Sequence, residues 1–160
     1  MKILIAFASR YGTTEKCARL LGDVLSKEMH AVDIVDLSLK KSVVIKDYNA
    51  VVVGGSFLMF RMNPLVQRFV NTNLNELLKI RTCVFMVGAD DKWEEEIKKG
   101  FPETLLNNST VKGYFGYEML WDKMNPFFRG IAQKSYNTTE NVSKIDNDSI
   151  EKFAIELTKV

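Results

Sequence analysis

The chain has 160 residues, 46% hydrophobic and 26% charged, with a formal net charge of +2. That length favours one domain over residues 1–160 with a sizeable core, and no apolar run approaches the ~20 residues of a membrane span. Scattered Lys and Arg without a basic stripe argue against nucleic acid, and one histidine with two distant cysteines argues against a zinc site or a histidine-based triad.

Lys2 to Ala8 is a nearly continuous apolar run and predicts a strand buried on both faces. The opening MKILIAFAS has the look of a leader, but it runs into a glycine turn and a helical pattern. A first strand is therefore expected, not a secretion signal, and the protein is expected in the cytoplasm. Residues 14–29 carry Cys17, Leu20, Leu21, Val24 and Leu25 at helical period. Val32 to Leu37 alternates as a strand, and Asn49 to Ser56 is another buried one. Asn63-Pro64 supplies an N-cap and a first-turn proline for a helix whose apolar face is Leu65, Phe69, Leu74, Leu77 and Leu78.

Thr82 to Ala89 predicts a fourth buried strand, and Asp91 with Glu94 reads as a capping box for a helix over 92–99. Lys112 to Leu120 is a fifth strand with glycine breaks. Beyond it, Leu120, Met124, Phe127, Phe128 and Ile131 share one face at helical spacing, with Pro126 opening a new helix. Residues 135–147 are polar and read as loop; Asp148 and Glu151 cap a final helix from about 148. Cys17 and Cys83 fall in apolar patterns and read as core thiols.

Five strands alternating with helices predict a parallel sheet covered on both faces, with right-handed crossovers. Ligands of such α/β sheets bind beyond the carboxyl ends of the strands, at the switch point. The loops leaving those ends are residues 9–14, 55–63 and 88–93. The first contains Ser9, Arg10, Tyr11, Gly12, Thr13 and Thr14 and runs into a helix N-terminus, where free N–H groups and the dipole favour an anion. Gly12 lets the backbone curl close, and Ser9, Thr13 and Thr14 add hydroxyls. The loop has neither G-x-x-x-x-G-K-[ST] nor G-x-G-x-x-G, and no lysine. A single terminal phosphate fits it; a plain turn capped by Thr is the alternative on the loop alone.

FASRYGTTEKCA resembles the flavodoxin fingerprint, a Ser/Thr-x-Thr-Gly-x-Thr loop that grips the phosphate of FMN. Ser9, Gly12 and Thr14 match, Tyr11 stands where Thr is usual, and Thr13 holds a variable position. The resemblance implies a flavodoxin-like three-layer sandwich with strand order 2-1-3-4-5, FMN as cofactor and no metal. It places the flavin ring against the second loop, through Ser56, Phe57, Leu58, Met59 and Phe60. Those apolar residues either stack on the ring or cap the core below. The third loop then offers Gly88, Ala89 and Asp90 to the pyrimidine edge and Trp93 to the outer face, with Asp90 and Asp91 either repelling an anionic reduced flavin or capping the helix. Many flavodoxins carry a glycine inside the second loop beside the ring. Here Gly54 and Gly55 come earlier, which implies weaker stabilisation of the one-electron state.

The stretch GYFGYEMLWDKMNPFFRGIAQKS, residues 113–135, is similar to the quinone-dependent, flavodoxin-type protoporphyrinogen oxidases of bacteria. That resemblance implies an oxidoreductase of heme biosynthesis that moves hydrogen from protoporphyrinogen IX to FMN and on to a quinone. It needs no catalytic side chain, because the flavin does the chemistry. The aromatic insertion at about 119–135 either packs on the core or touches a partner or a membrane surface. The second reading is an electron-transfer protein serving a redox partner, with no substrate of its own. Mild basicity argues against a dedicated acidic shuttle. A third is a binding module that has lost FMN.

Overall fold

The computed structural model describes residues 1–39, 42–90 and 92–159. Strands β1 (Lys2–Ala8), β2 (Ala31–Asp36) and β3 (Ala50–Leu58) alternate with helices α1 (Thr13–Lys27) and α2 (Pro64–Leu77). A two-residue strand, β4 (Arg61–Met62), folds back antiparallel on the end of β3. β5 (Arg81–Val87), α3 (Trp93–Gly100), α4 (Glu103–Asn108) and β6 (Lys112–Tyr114) follow. The parallel strands lie in the order β2-β1-β3-β5-β6, the order that the resemblance implied.

The continuous apolar strands are explained by two cores. Period-two alternation sends Leu4, Ala6, Val51, Val53, Val84 and Met86 to one face, under α2 and α3. Ile3, Ile5, Phe7, Val52, Cys83 and Phe85 go to the other, under α1 and the C-terminal helix. Burial pushes the Cys17 thiol up to about 12 and the Cys83 thiol to about 11, so both stay protonated packing groups. The register pairs Ala8 with Gly55 and Ser56 with Val87. The carboxyl ends of β1, β3 and β5 therefore finish level, and the three loops open on one edge.

The fifth strand differs from its expected form. Only Lys112–Tyr114 joins the sheet, as β6. The chain then turns at Gly116, with φ +77°, into β7 (Gly116–Met119). β7 pairs antiparallel with β8 (Val142–Ile145), inside the stretch expected to be loop. This ribbon is half solvated and its second strand is short and polar, so it carries no hydrophobic signal. Between the two lie a short 3-10 turn (Trp121–Lys123) and helix α5 (Pro126–Tyr136), capped by the Asn125 side chain accepting from Phe128 N. Of the expected apolar face, Met124, Phe128 and Ile131 do turn to one side, while Phe127, next to buried Phe128 in α5, is 64% exposed.

Asn63 caps α2 as expected, its Oδ1 accepting from Leu65 N at 3.0 Å. The last helix, α6 (Asn147–Thr158), is capped by Asp146, not by Asp148; Asp146 Oδ1 accepts from Ser149 N at 2.9 Å. The expected Asp91 cap lies outside the described residues. No helix among the described residues is long and apolar enough to cross a membrane.

Candidate functional site

The first loop builds a pole for an anion. Gly12 takes φ +98°, a backbone region that a glycine enters without strain, and its N–H donates to Ser9 Oγ at 3.0 Å. Gly12 O accepts the first helical bond of α1, from Lys16 N. The N–H groups ahead of Lys16 have no earlier carbonyl in the helix to reach, so they face the loop. Thr14 is 1% exposed, and its Oγ1 is buried with no hydrogen-bond partner. A buried hydroxyl left unpaired costs about 1–3 kcal/mol, so this atom waits for a ligand. Although the loop contains no lysine, the tertiary structure brings one. Lys123 Nζ stands 3.8 Å from where a Cβ on residue 12 would sit.

Behind this pole sits an unexpected carboxylate. Glu118 accepts from Lys16 Nζ at 2.7 Å and from Ser143 Oγ at 2.9 Å, and the Thr13 hydroxyl also bonds it. Burial pushes the Glu118 carboxyl up, but the Lys16 and Ser143 hydrogen bonds and the Lys16 charge outweigh it and hold it below the usual glutamate range. This arrangement ties β7 and β8 to the start of α1.

From the pole runs a cleft of about 300 Å³. Its first wall is the β3–β4 hairpin. Phe57 pairs with Met62 and Leu58 with Arg61, leaving Met59 and Phe60 as a two-residue turn with φ +51° and +62°. Positive φ at both central residues defines a type I′ turn, which prefers Asn-Gly. Its second wall is Val87 to Asp90. Gly88 has to be glycine here, because a Cβ would stand 2.8 Å from the Phe57 carbonyl oxygen. Tyr114 Oη donates to Gly88 O at 2.7 Å, and Asp90 Oδ1 accepts from Lys92 N, which stiffens the loop. The third wall is α5, whose Phe128, Ile131, Ala132 and Ser135 face the cleft at helical spacing. Tyr136 closes it by donating to Ala89 O at 2.8 Å.

Of the expected site residues, Ser9, Arg10, Tyr11, Thr13, Thr14, Ser56, Phe57, Leu58, Met59, Phe60, Gly88, Ala89 and Asp90 all line this cleft. Gly12 lies behind the lining and acts through its backbone. Trp93 does not line it. It opens α3 and stacks on Tyr114, ring centroids 6.0 Å apart at 9°, against the core. The Tyr114 ring, pinned through its hydroxyl, gives the indole a closer apolar partner than the cleft does. Tyr11 meets α5 edge-on, 6.2 Å from the Phe128 ring, with the Arg10 guanidinium 4.8 Å over the same ring. Sequence reasoning missed Tyr117, Glu118, Tyr136 and Lys123 as neighbours of the cleft or its pole. The aromatic richness of 113–135 was the one signal pointing at them.

A family profile described as Flavodoxin domain matches residues 4–146, nearly the whole chain. The chain belongs to the flavodoxin family. Among solved structures, this flavodoxin is similar to the rubredoxin oxygen:oxidoreductase of Desulfovibrio gigas, with TM-score 0.65, 15% identity and coverage of 98% of this chain and 35% of that one. It spans about a third of that longer protein. A flavo di-iron protein variant from Thermotoga maritima gives TM-score 0.62, 14% identity and coverage of 98% and 35%. The two-electron reduced flavodoxin of Megasphaera elsdenii gives TM-score 0.62 at 12% identity and is matched over 97% of each chain. No curated protein sequence matches this one. At these identities the structures speak for the fold alone.

FMN is the cofactor of this flavodoxin, and the site fits it. The orphaned Thr14 hydroxyl, the α1 N-terminus and Lys123 are the groups that would hold its phosphate. The adjoining cleft is largely apolar, as an aromatic ring system requires.

Proposed function

We propose that this flavodoxin is an FMN-dependent oxidoreductase that takes hydrogen from a small organic donor and passes it to a quinone. Protoporphyrinogen IX is the donor that residues 113–135 suggest by their resemblance. The observation that carries this reading is α5. It lies along the cleft as a third wall and is tied across it by Tyr136 to Ala89 O. A protein that hands electrons to another protein needs an open docking face. A site that reacts with small molecules gains from a wall that excludes water.

When bound, FMN supplies the hydride and electron chemistry. The chain supplies the rest. Thr14 Oγ1, the first-turn N–H groups of α1 and Lys123 hold the phosphate end. Phe57, Leu58 and Met59 face Gly88 and Ala89 across the cleft and keep water off the ring. Exposed Phe60, Phe127 and Met59 (70%, 64% and 49%) leave apolar tips for peripheral contact with a quinone-bearing membrane.

The test is anaerobic turnover of the holoprotein with protoporphyrinogen IX and a menaquinone analogue, followed by porphyrin fluorescence. Porphyrin formation well above the cofactor-free protein is expected. No turnover, together with fast electron exchange with a flavodoxin reductase, would instead make this an electron carrier that serves a redox partner protein. Co-sedimentation with anionic vesicles tests the membrane contact.

A further inference from the structure

A second cavity, of about 710 Å³, opens directly beside the cofactor cleft. The two share a wall made of Arg10, Ser56, Leu58, Met59, Phe60 and Phe128. The groove also has Arg61, Gln67 and Lys99 in its lining and no acidic side chain. Arg10 and Arg61 make no ion pair among the described residues. Arg10 is instead held over the Phe128 ring. Lys99 is less free, because it bonds Glu96 Oε1 at 2.6 Å while lying 5.6 Å over the Phe60 ring. The net field of the groove is therefore set by the two arginines.

The hairpin at its mouth is built against its own backbone preference. Met59 and Phe60 occupy left-handed conformations, at φ +51° and +62°, that bulky side chains avoid. Neither gains burial for it: Met59 is 49% and Phe60 70% exposed. Strained residues held at a cavity mouth with no packing return mark a position where the side chains serve a ligand. Here they would present a thioether and a ring to whatever enters the groove.

We propose that this groove is the organic substrate's docking site and selects molecules whose aromatic rings carry carboxylates. Arg10 and Arg61 take the carboxylates, and Met59 and Phe60 cover the ring plane. The inference rests on the oxidoreductase reading, since it supplies the place from which such a molecule reaches the cofactor cleft across the shared wall.

The test is equilibrium dialysis of the FMN-loaded protein against naphthalene dicarboxylate and, separately, its uncharged counterpart naphthalene dimethanol. The dicarboxylate is expected to bind about tenfold tighter or more, as one or two charge-assisted contacts provide. Arg61→Gln should remove most of that preference, and added salt should mimic the substitution. Met59→Asn with Phe60→Gly restores the favoured turn; it should raise the unfolding midpoint while weakening both ligands alike. Equal binding of the two ligands, or a preference that survives Arg61→Gln, would overturn the proposal. Because dialysis involves no electron transfer, selective dicarboxylate binding without protoporphyrinogen turnover would remove the reaction and leave the groove standing.

Discussion

The loop of residues 9–14 and the segment 116–145 meet at the same cleft, yet they are built over different ranges. In the loop, six consecutive residues and the start of one helix make all of the candidate anion pole except Lys123, and these parts are close neighbours in the chain. Gly12 N reaches Ser9 Oγ, and Thr14 sits on the first turn of the helix it helps to start. The 116–145 segment makes its wall from parts that find each other only after folding. β7 pairs with β8 across the 22 residues between them, Lys16 reaches Glu118 from 102 positions away, and Tyr136 reaches Ala89 from 47. Local construction makes the loop recognisable from its sequence. Long-range construction makes the wall sensitive to single contacts.

Substitutions can separate the two regions. The largest effect should come from Gly116→Ala. Position 116 has φ +77°, and a Cβ there would run into the Lys144 carbonyl oxygen, breaking the β7–β8 junction. A loss of about 2–4 kcal/mol in urea denaturation is expected. It should come with faster loss of FMN on dilution, because α5 is carried on that ribbon. A variant as stable as the parent would show that the wall is not anchored there.

Next is Thr14→Val, which removes the orphan hydroxyl without changing shape. FMN affinity, read by flavin fluorescence titration of the apoprotein, should fall roughly tenfold to a hundredfold, the value of one hydrogen bond to a charged group. Unfolding of the apoprotein should be unchanged or slightly later, since a buried unsatisfied atom is gone. Unaltered FMN affinity would remove Thr14 from the phosphate site.

A smaller effect is expected for Lys123→Gln, about twofold to fivefold on FMN affinity, because its charge is partly solvated. Riboflavin, which lacks the phosphate, should bind both proteins equally, and raised salt should erase the difference. Equal losses for FMN and riboflavin would mean that Lys123 acts on the ring or on the fold.

The smallest concerns pH. The Glu118 carboxyl is held below its ordinary range in the folded protein. Its contribution is therefore present above the unfolded glutamate value and lost as pH falls through the folded one. Glu118→Gln should flatten the acid limb of a stability–pH curve and leave the neutral and basic limbs parallel to the parent. An unchanged acid slope would detach Glu118 from the link between the two regions.

Much of the sheet was legible because parallel strands buried on both faces write themselves as unbroken apolar runs. The loop motif was legible because it is contiguous: Ser9, Gly12 and Thr14 lie within six residues. Asn63-Pro64 announced α2 through a bond only two residues long. Three misreadings have separate causes. β8 is half solvated and polar, so no hydrophobic period marks it. Trp93 had two aromatic environments within reach and took the Tyr114 ring. Phe127 was assigned to the face that Met124, Phe128 and Ile131 share, but one residue along α5 from Phe128 it points to solvent.

The sequence by itself determined the layered α/β class, since that rests on period and chain chirality, and it carried the loop motif whose resemblance implied the strand order. Only the tertiary structure decided how the cofactor cleft is closed. It brought Lys123 over a loop that has no lysine, laid α5 along the ring site and bent Met59-Phe60 into a turn that neither residue favours. Those outcomes depend on contacts between residues far apart in the chain, whose free energies appear only when the whole fold is assembled.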